Sequence, residues 1–170
     1  MKSIIITGKH NQDKINNIKN PIREAVSKYS FNISQYDHNK QVNILNNLYL
    51  ENEIDNKKDI ISILNKKIQG YKSQDKQKNV WSQDEFITQE QCIEALVGSK
   101  LHCHYCNSKI LFLYDKVGEK KQWTLDRIDN NLGHNRDNVV ISCLGCNLQK
   151  RRRGEEAFKF MKQMVIKKCE

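Results

Sequence analysis

Two cysteine pairs constrain this 170-residue chain more than any other feature of its sequence. Cys103-His104-Tyr105-Cys106 and Cys143-Leu144-Gly145-Cys146 are C-x2-C knuckles with 36 residues between them. Two intervening residues let both sulfurs of a knuckle reach one ion at about 2.3 Å while the amides of the turn face them. Two such knuckles complete a tetrahedral shell of four thiolates. A closed shell leaves no position for water, so the zinc (Zn2+) it implies is structural. The alternative for pairs of this kind is a redox-active disulfide. One structural zinc supplies apparent free energies on the order of 10 to 16 kcal/mol. A chain in which 38% of the residues are apolar gains from such a staple, because its core is thin.

The formal net charge of +9 favours polyanions, since bound Lys and Arg release counterions from phosphates, although a lysine-rich composition also serves solubility. No apolar run approaches the roughly 20 residues needed to span a bilayer, so no membrane partner is expected. The stretch Met1 to Gly8 is too short in apolar residues for a secretory signal. The expected setting is therefore a reducing, intracellular one: cytoplasm, nucleus or a viral factory. There, paired cysteines bind metal more often than they form disulfides.

Composition changes near Val80-Trp81, and both tryptophans and all six cysteines follow that point. We read residues 1–78 as a helical N-terminal region that binds DNA or a partner, and 79–170 as the zinc-bearing domain with a C-terminal helix. Apolar residues recur every three or four positions at Ile15, Ile18, Ile22, Val26 and Tyr29, then at Val42, Leu45, Leu48 and Tyr49, then at Ile60, Ile61, Leu64 and Ile68. These predict three helices, the last ended by Gly70, with Lys72 through Asn79 as a polar linker. Thr88 and Gln91 form a capping box opening a helix that stops at Gly98, with Cys92 as a core thiol. A last helix over 155–168 carries the stripe Ala157, Phe158, Met161, Met164 and Val165.

Between the knuckles, Trp123 to Ile128 alternates β-branched and aromatic residues and predicts a strand. Asn130 to Asn138 is loop chemistry, with Asp129 as a turn former, and Val139 to Ile141 is a short strand. From Asn147 a helix carries Lys150-Arg151-Arg152-Arg153.

The set Asp126-Arg127-Ile128, Gly133, Asn138, Cys143-x2-Cys146, Asn147 and Lys150 resembles the signature of the HNH (ββα-metal) nucleases, over about residues 99 to 153. The compact form resembles versions from phages and large DNA viruses. The resemblance implies an α+β fold, a zinc-stapled ββα-metal (HNH, or His-Me finger) domain preceded by a small helical N-terminal region. It implies an endonuclease that hydrolyses DNA phosphodiesters using Mg2+ or Mn2+, nicking as a monomer and cutting both strands as a possible homodimer. Asp126 and Asn147 match the family's ligands to the divalent ion, which takes oxygen ligands and stabilises the phosphate and the leaving oxygen. Asn138 matches the residue that ties the loop.

The chain departs from the family at Arg127, where most members carry the histidine that serves as general base. Arginine holds its proton near neutral pH and makes a poor base, though it clamps phosphates well. A variant branch with Asp-Arg places another proton acceptor seven residues after the Arg. Here that position is His134, whose side-chain type suits general-base work. Lys150, Arg151, Arg152 and Arg153 are expected to meet the DNA backbone. The Arg127 substitution also leaves room for an HNH-like zinc module that binds nucleic acid or a ribonucleoprotein without cutting. A third reading is a zinc module for protein assembly.

Overall fold

The computed structural model describes residues 37–164, with residues 5, 7–9, 11, 12 and 15. The predicted helical stripe from Ile18 to Tyr29, and the positions of Val165 and Cys169, lie outside the described residues.

Helix α1 (His38–Tyr49) starts at Asp37, whose side chain caps it by accepting from the Lys40 amide at 2.8 Å. It buries Leu45 and Leu48, as the stripe predicts, along with Gln41. The Gln41 side-chain oxygen accepts from the amides of Phe112 and Leu113, which ties α1 to the half that carries the four paired cysteines.

Helix α2 (Lys57–Gln77) differs from expectation at its end. Gly70 does not stop it, and the supposed linker over 72–79 is helical as far as Gln77. The buried face continues past the glycine through Ile60, Leu64, Ile68, Tyr71 and Asp75, spaced three or four residues apart. A mid-helix glycine costs about 1 kcal/mol. The contacts of Tyr71 and Asp75 outweigh that cost.

Helix α3 (Gln89–Gly98) has the predicted capping box and ends where predicted, with Cys92 fully buried. Strand β1 (Trp123–Arg127) pairs antiparallel with β2 (Val139–Cys143), Asp126 lying opposite Val140 and Trp123 opposite Cys143. Helix α4 (Leu144–Lys150) follows β2 without a break. It begins three residues before the expected start, because Cys143 serves as its N-cap through its sulfur. Helix α5 (Glu155–Gln163) buries Phe158 alone, while Met161 and Met164 are exposed, so the predicted packing stripe is not formed.

All five residues of β1 are buried. Helix α4 packs on both strands, and α2 reaches β1 where the Tyr71 hydroxyl accepts from the Leu125 amide at 3.1 Å. Helix α3 packs against α1, α2 and β2. Buried apolar residues on both sides of position 78 form one cluster, from Leu45 to Phe158. The fold is thus α+β, with helices around a two-stranded sheet. Among the described residues no helix is long and apolar enough to cross a membrane.

Candidate functional site

The four cysteines Cys103, Cys106, Cys143 and Cys146 come together with their sulfurs within 4.8 Å of one another. Thiolates about 2.3 Å from a central zinc sit about 3.8 Å apart, so the cluster fits a single tetrahedral ion. The amides of Cys143 and Cys146 donate to the sulfurs of Cys103 and Cys143, each at 3.3 Å. A hydrogen bond from the Cys143 thiol draws Cys103 down to about 4. That same bond, followed by burial, pushes Cys143 above the usual thiol range, and burial raises Cys146 to about 12. His102 and His104 are half-buried beside the cluster, and His104 pairs with Glu155 of α5.

Strand β1 leads from the four-cysteine cluster to Asp126, which is 6% exposed. One oxygen of its carboxylate, Oδ2, accepts from the Tyr105 hydroxyl at 2.5 Å and lies 3.3 Å from the Lys150 ammonium. Tyr105 sits inside the first knuckle and packs edge-on against Phe158. Burial, followed by the Asp126 bond, pushes its phenol well above the usual range, so it remains an O–H donor. Lys150 is fully buried and also donates to the Arg127 carbonyl at 2.6 Å. This corrects the expectation that Lys150 faces DNA. Helix α4 starts at Leu144, and its phase turns Lys150 inward, over the strand face that carries Asp126. Arg151, Arg152 and Arg153 follow as exposed side chains.

Asn147 lies one turn earlier on α4. Its NH2 group donates to Thr124 Oγ1 at 3.2 Å and to the Leu125 carbonyl at 3.3 Å, pinning the helix to β1. Mg2+ or Mn2+ in such a site takes one or two carboxylates with waters and phosphate oxygens. Here the Asp126 carboxylate already has an ammonium against it. The residues as arranged do not fit the divalent ion that the resemblance implies. Among the described residues the group of His, Cys, Asp or Glu side chains suited to a metal is the four-cysteine cluster.

Arg127 is also turned inward. Its Nη1 donates to the carbonyls of Asn130 and Leu132, at 3.3 and 3.0 Å, and lies 4.0 Å from Asp75 Oδ1. Asn138 ties the same loop. Its side chain donates to the carbonyls of Asp129 and Gly133, each at 2.9 Å, and accepts from the Asp129 amide at 2.9 Å. Asp129 closes the turn by accepting from the Asn131 amide at 2.8 Å.

His134 is 4% exposed, with its ring 4.6 Å from that of Tyr71. Its Nδ1 is 2.7 Å from Asp75 Oδ1, and its backbone amide donates to Asp75 Oδ2 at 2.6 Å. A carboxylate on Nδ1 selects the tautomer that leaves Nε2 as a proton acceptor. Burial holds the His134 pKa below its ordinary value, and the Arg127 charge adds to this against the opposing pull of Asp75. The imidazole is therefore neutral near pH 7.

Asp75, Tyr105 and Lys67 are the site neighbours that sequence reasoning passed over. Asp75 carries one available signal, a charged residue in phase with the buried stripe of α2. Lys67 donates to Tyr114 and Gln122 and to the Trp123 carbonyl, and burial lowers its pKa to about 7. It lies along a cleft of about 830 Å³ between α2 and the β1–α4 face, lined also by Lys66, Gln74, Thr124 and Asn147.

The chain matches no family model, no curated protein and no solved structure.

Proposed function

We propose that this chain is an HNH-type endonuclease that hydrolyses phosphodiester bonds in DNA. The observation that carries the proposal is the Asp75–His134 hydrogen bond at 2.7 Å, which orients the imidazole and leaves Nε2 as its proton acceptor. Nε2 takes a proton from a water molecule, the oxygen attacks phosphorus, and the bond to the 3′ oxygen breaks; that oxygen takes a proton from solvent water, leaving a 5′ phosphate and a 3′ hydroxyl. The order of β1, loop, β2 and α4 agrees with the sequence resemblance. Arg151, Arg152 and Arg153, exposed beyond the end of α4, are suited to the DNA backbone. Asp126 and His134 are each less than a tenth exposed, so the reaction requires both side chains to become reachable as DNA binds.

A second reading, a zinc-stapled module that binds nucleic acid without cutting it, is favoured by the pairing of Asp126 with the buried Lys150. Plasmid nicking separates the two. Zinc-loaded native protein is compared with Asp126→Ala and His134→Ala in Mg2+, in Mn2+ and in EDTA, alongside salt-dependent DNA binding. Nicking by the native protein, lost in His134→Ala while DNA binding is retained, supports the nuclease. Binding that weakens steeply with salt, with supercoiled plasmid intact in every condition, supports the binding module instead.

A further inference from the structure

We infer that Lys150 is the resident cation of the Asp126 site: its ammonium fills the seat that a divalent ion would take, and Asp126 binds Mg2+ or Mn2+ only when Lys150 is removed. This takes from the proposed function only that Asp126 is the carboxylate of the site. It holds equally if the chain binds nucleic acid without cutting it.

The ammonium is held from two sides. Nζ lies 2.6 Å from the Arg127 carbonyl and 3.3 Å from Asp126 Oδ2, and the whole side chain is buried. A lysine is placed there by helix geometry. Asn147 and Lys150 are three residues apart on one face of α4, so the amide of Asn147 lies over Thr124 and Leu125 and the ammonium lies over the next residues of β1. The Tyr105 hydroxyl takes a further position on Oδ2. The carboxylate oxygen Oδ2 therefore has an internal counter-charge and an internal hydrogen-bond donor already in place. A dication at this distance from a buried ammonium is repelled by twice a unit charge in a poorly screened setting. A single buried carboxylate offers too little to offset that repulsion.

The test measures Mn2+ binding to the zinc-loaded full chain, by the electron paramagnetic resonance signal of the free ion. Manganese is chosen because it prefers oxygen ligands and leaves the thiolate cluster alone. Native protein and Asp126→Asn are expected to bind Mn2+ equally weakly. Lys150→Gln, which keeps a donor for the Arg127 carbonyl, is expected to bind at least about tenfold more tightly than native. The gain should vanish in Lys150→Gln/Asp126→Asn. A native Mn2+ site that Asp126→Asn abolishes overturns the inference, as does a folded Lys150→Gln protein that gains no site. Removing one partner of a buried pair can unfold a domain. If Lys150→Gln does not fold, Lys150→Met, which keeps the bulk of the side chain without its charge, takes its place in the same comparison. Nicking keeps the two ideas apart. Cleavage that needs Mg2+ and Asp126 overturns this inference and leaves the nuclease standing. Intact plasmid with the expected Mn2+ pattern overturns the nuclease and leaves this inference standing.

Discussion

Asp75→Ala is the most informative single substitution, because Asp75 joins the N-terminal helices to the loop that carries His134. The side chain is fully buried and offers its two oxygens to three groups: the His134 amide at 2.6 Å, the His134 ring at 2.7 Å and the Arg127 guanidinium at 4.0 Å. Removing it leaves two buried N–H groups without their acceptor, at about 1–3 kcal/mol each. It also leaves a buried arginine without its carboxylate, and breaking such a pair costs about 3–5 kcal/mol. The two costs overlap, because the same oxygen serves His134 and Arg127. We therefore expect a loss of about 3–5 kcal/mol in all. Domains of this size are stable by about 5–15 kcal/mol, so the loss is a large share of the total. It corresponds to a fall in Tm of about 6–20 °C.

The assay is urea unfolding with zinc saturating, followed by fluorescence, since Trp123 is fully buried and reports on the hairpin. Asp75→Asn keeps the shape and one carbonyl acceptor but turns an NH2 group toward another donor, and should fall between native and alanine. Glu53→Ala is the control. Glu53 is 94% exposed and pairs with Lys57 at 3.8 Å, an arrangement that contributes little. If Asp75→Ala unfolds within about 1 kcal/mol of native, with an unchanged dependence on urea, the three contacts do not carry the stability assigned to them here.

Zinc removal should be more severe. Chelation of the native protein, or Cys143→Ser, is expected to abolish the cooperative transition, and metal analysis should find one zinc per chain; a stripped protein that still unfolds cooperatively would refute the cluster's role. Gly133→Ala should destabilise by about 1–3 kcal/mol. A Cβ at Gly133 would meet the Val80 carbonyl at 2.6 Å and Asp75 Oδ2 at 3.0 Å. Gly70→Ala, which meets nothing, should stabilise α2 by about 0.5–1 kcal/mol in the same urea titration. Acid should weaken the fold through His134. Its folded pKa is below the ordinary 6.5, so below that pH the unfolded chain binds a proton the folded one refuses. Stability from this source is complete above pH 6.5 and falls as pH drops toward the folded value. His134→Gln should flatten that part of the Tm–pH curve, which matters because burial lowers His38 too.

What could be read from the sequence was local. The spacing of the cysteines, the pair Thr88 and Gln91, and the alternation from Trp123 onward each rest on contacts between residues a few positions apart. The structure has a four-cysteine cluster, a capped helix and a strand at those places. What could not be read depended on distant partners. Asp75 looks like a polar break in a helix until His134, 59 residues later, is seen against it. Gly70 looks like a stop because the sequence does not reveal that Tyr71 will receive the Leu125 amide. Lys150 looks like the first of four basic residues facing DNA. Its inward turn follows from α4 starting at Leu144, which in turn follows from a cysteine sulfur acting as the cap.

These contacts explain why a hairpin of two five-residue strands persists at all, since an isolated pair of that length is marginal in water. It is gripped from two directions. On the zinc side the knuckle residue Tyr105 holds Asp126, and Lys150 bridges Asp126 to the Arg127 carbonyl. On the helical side Asp75 holds His134 and faces the Arg127 guanidinium. Arg127 is the residue common to both, by its carbonyl on one side and its side chain on the other. That shared position gives a physical reason for an arginine at position 127 rather than a shorter basic side chain such as histidine. A histidine is too short to reach the loop carbonyls and Asp75 together, and the chain would lose the link between its two halves. On this account Arg127 serves the architecture of the loop, and any proton transfer falls to His134, whose orienting carboxylate comes from the helix that Arg127 faces.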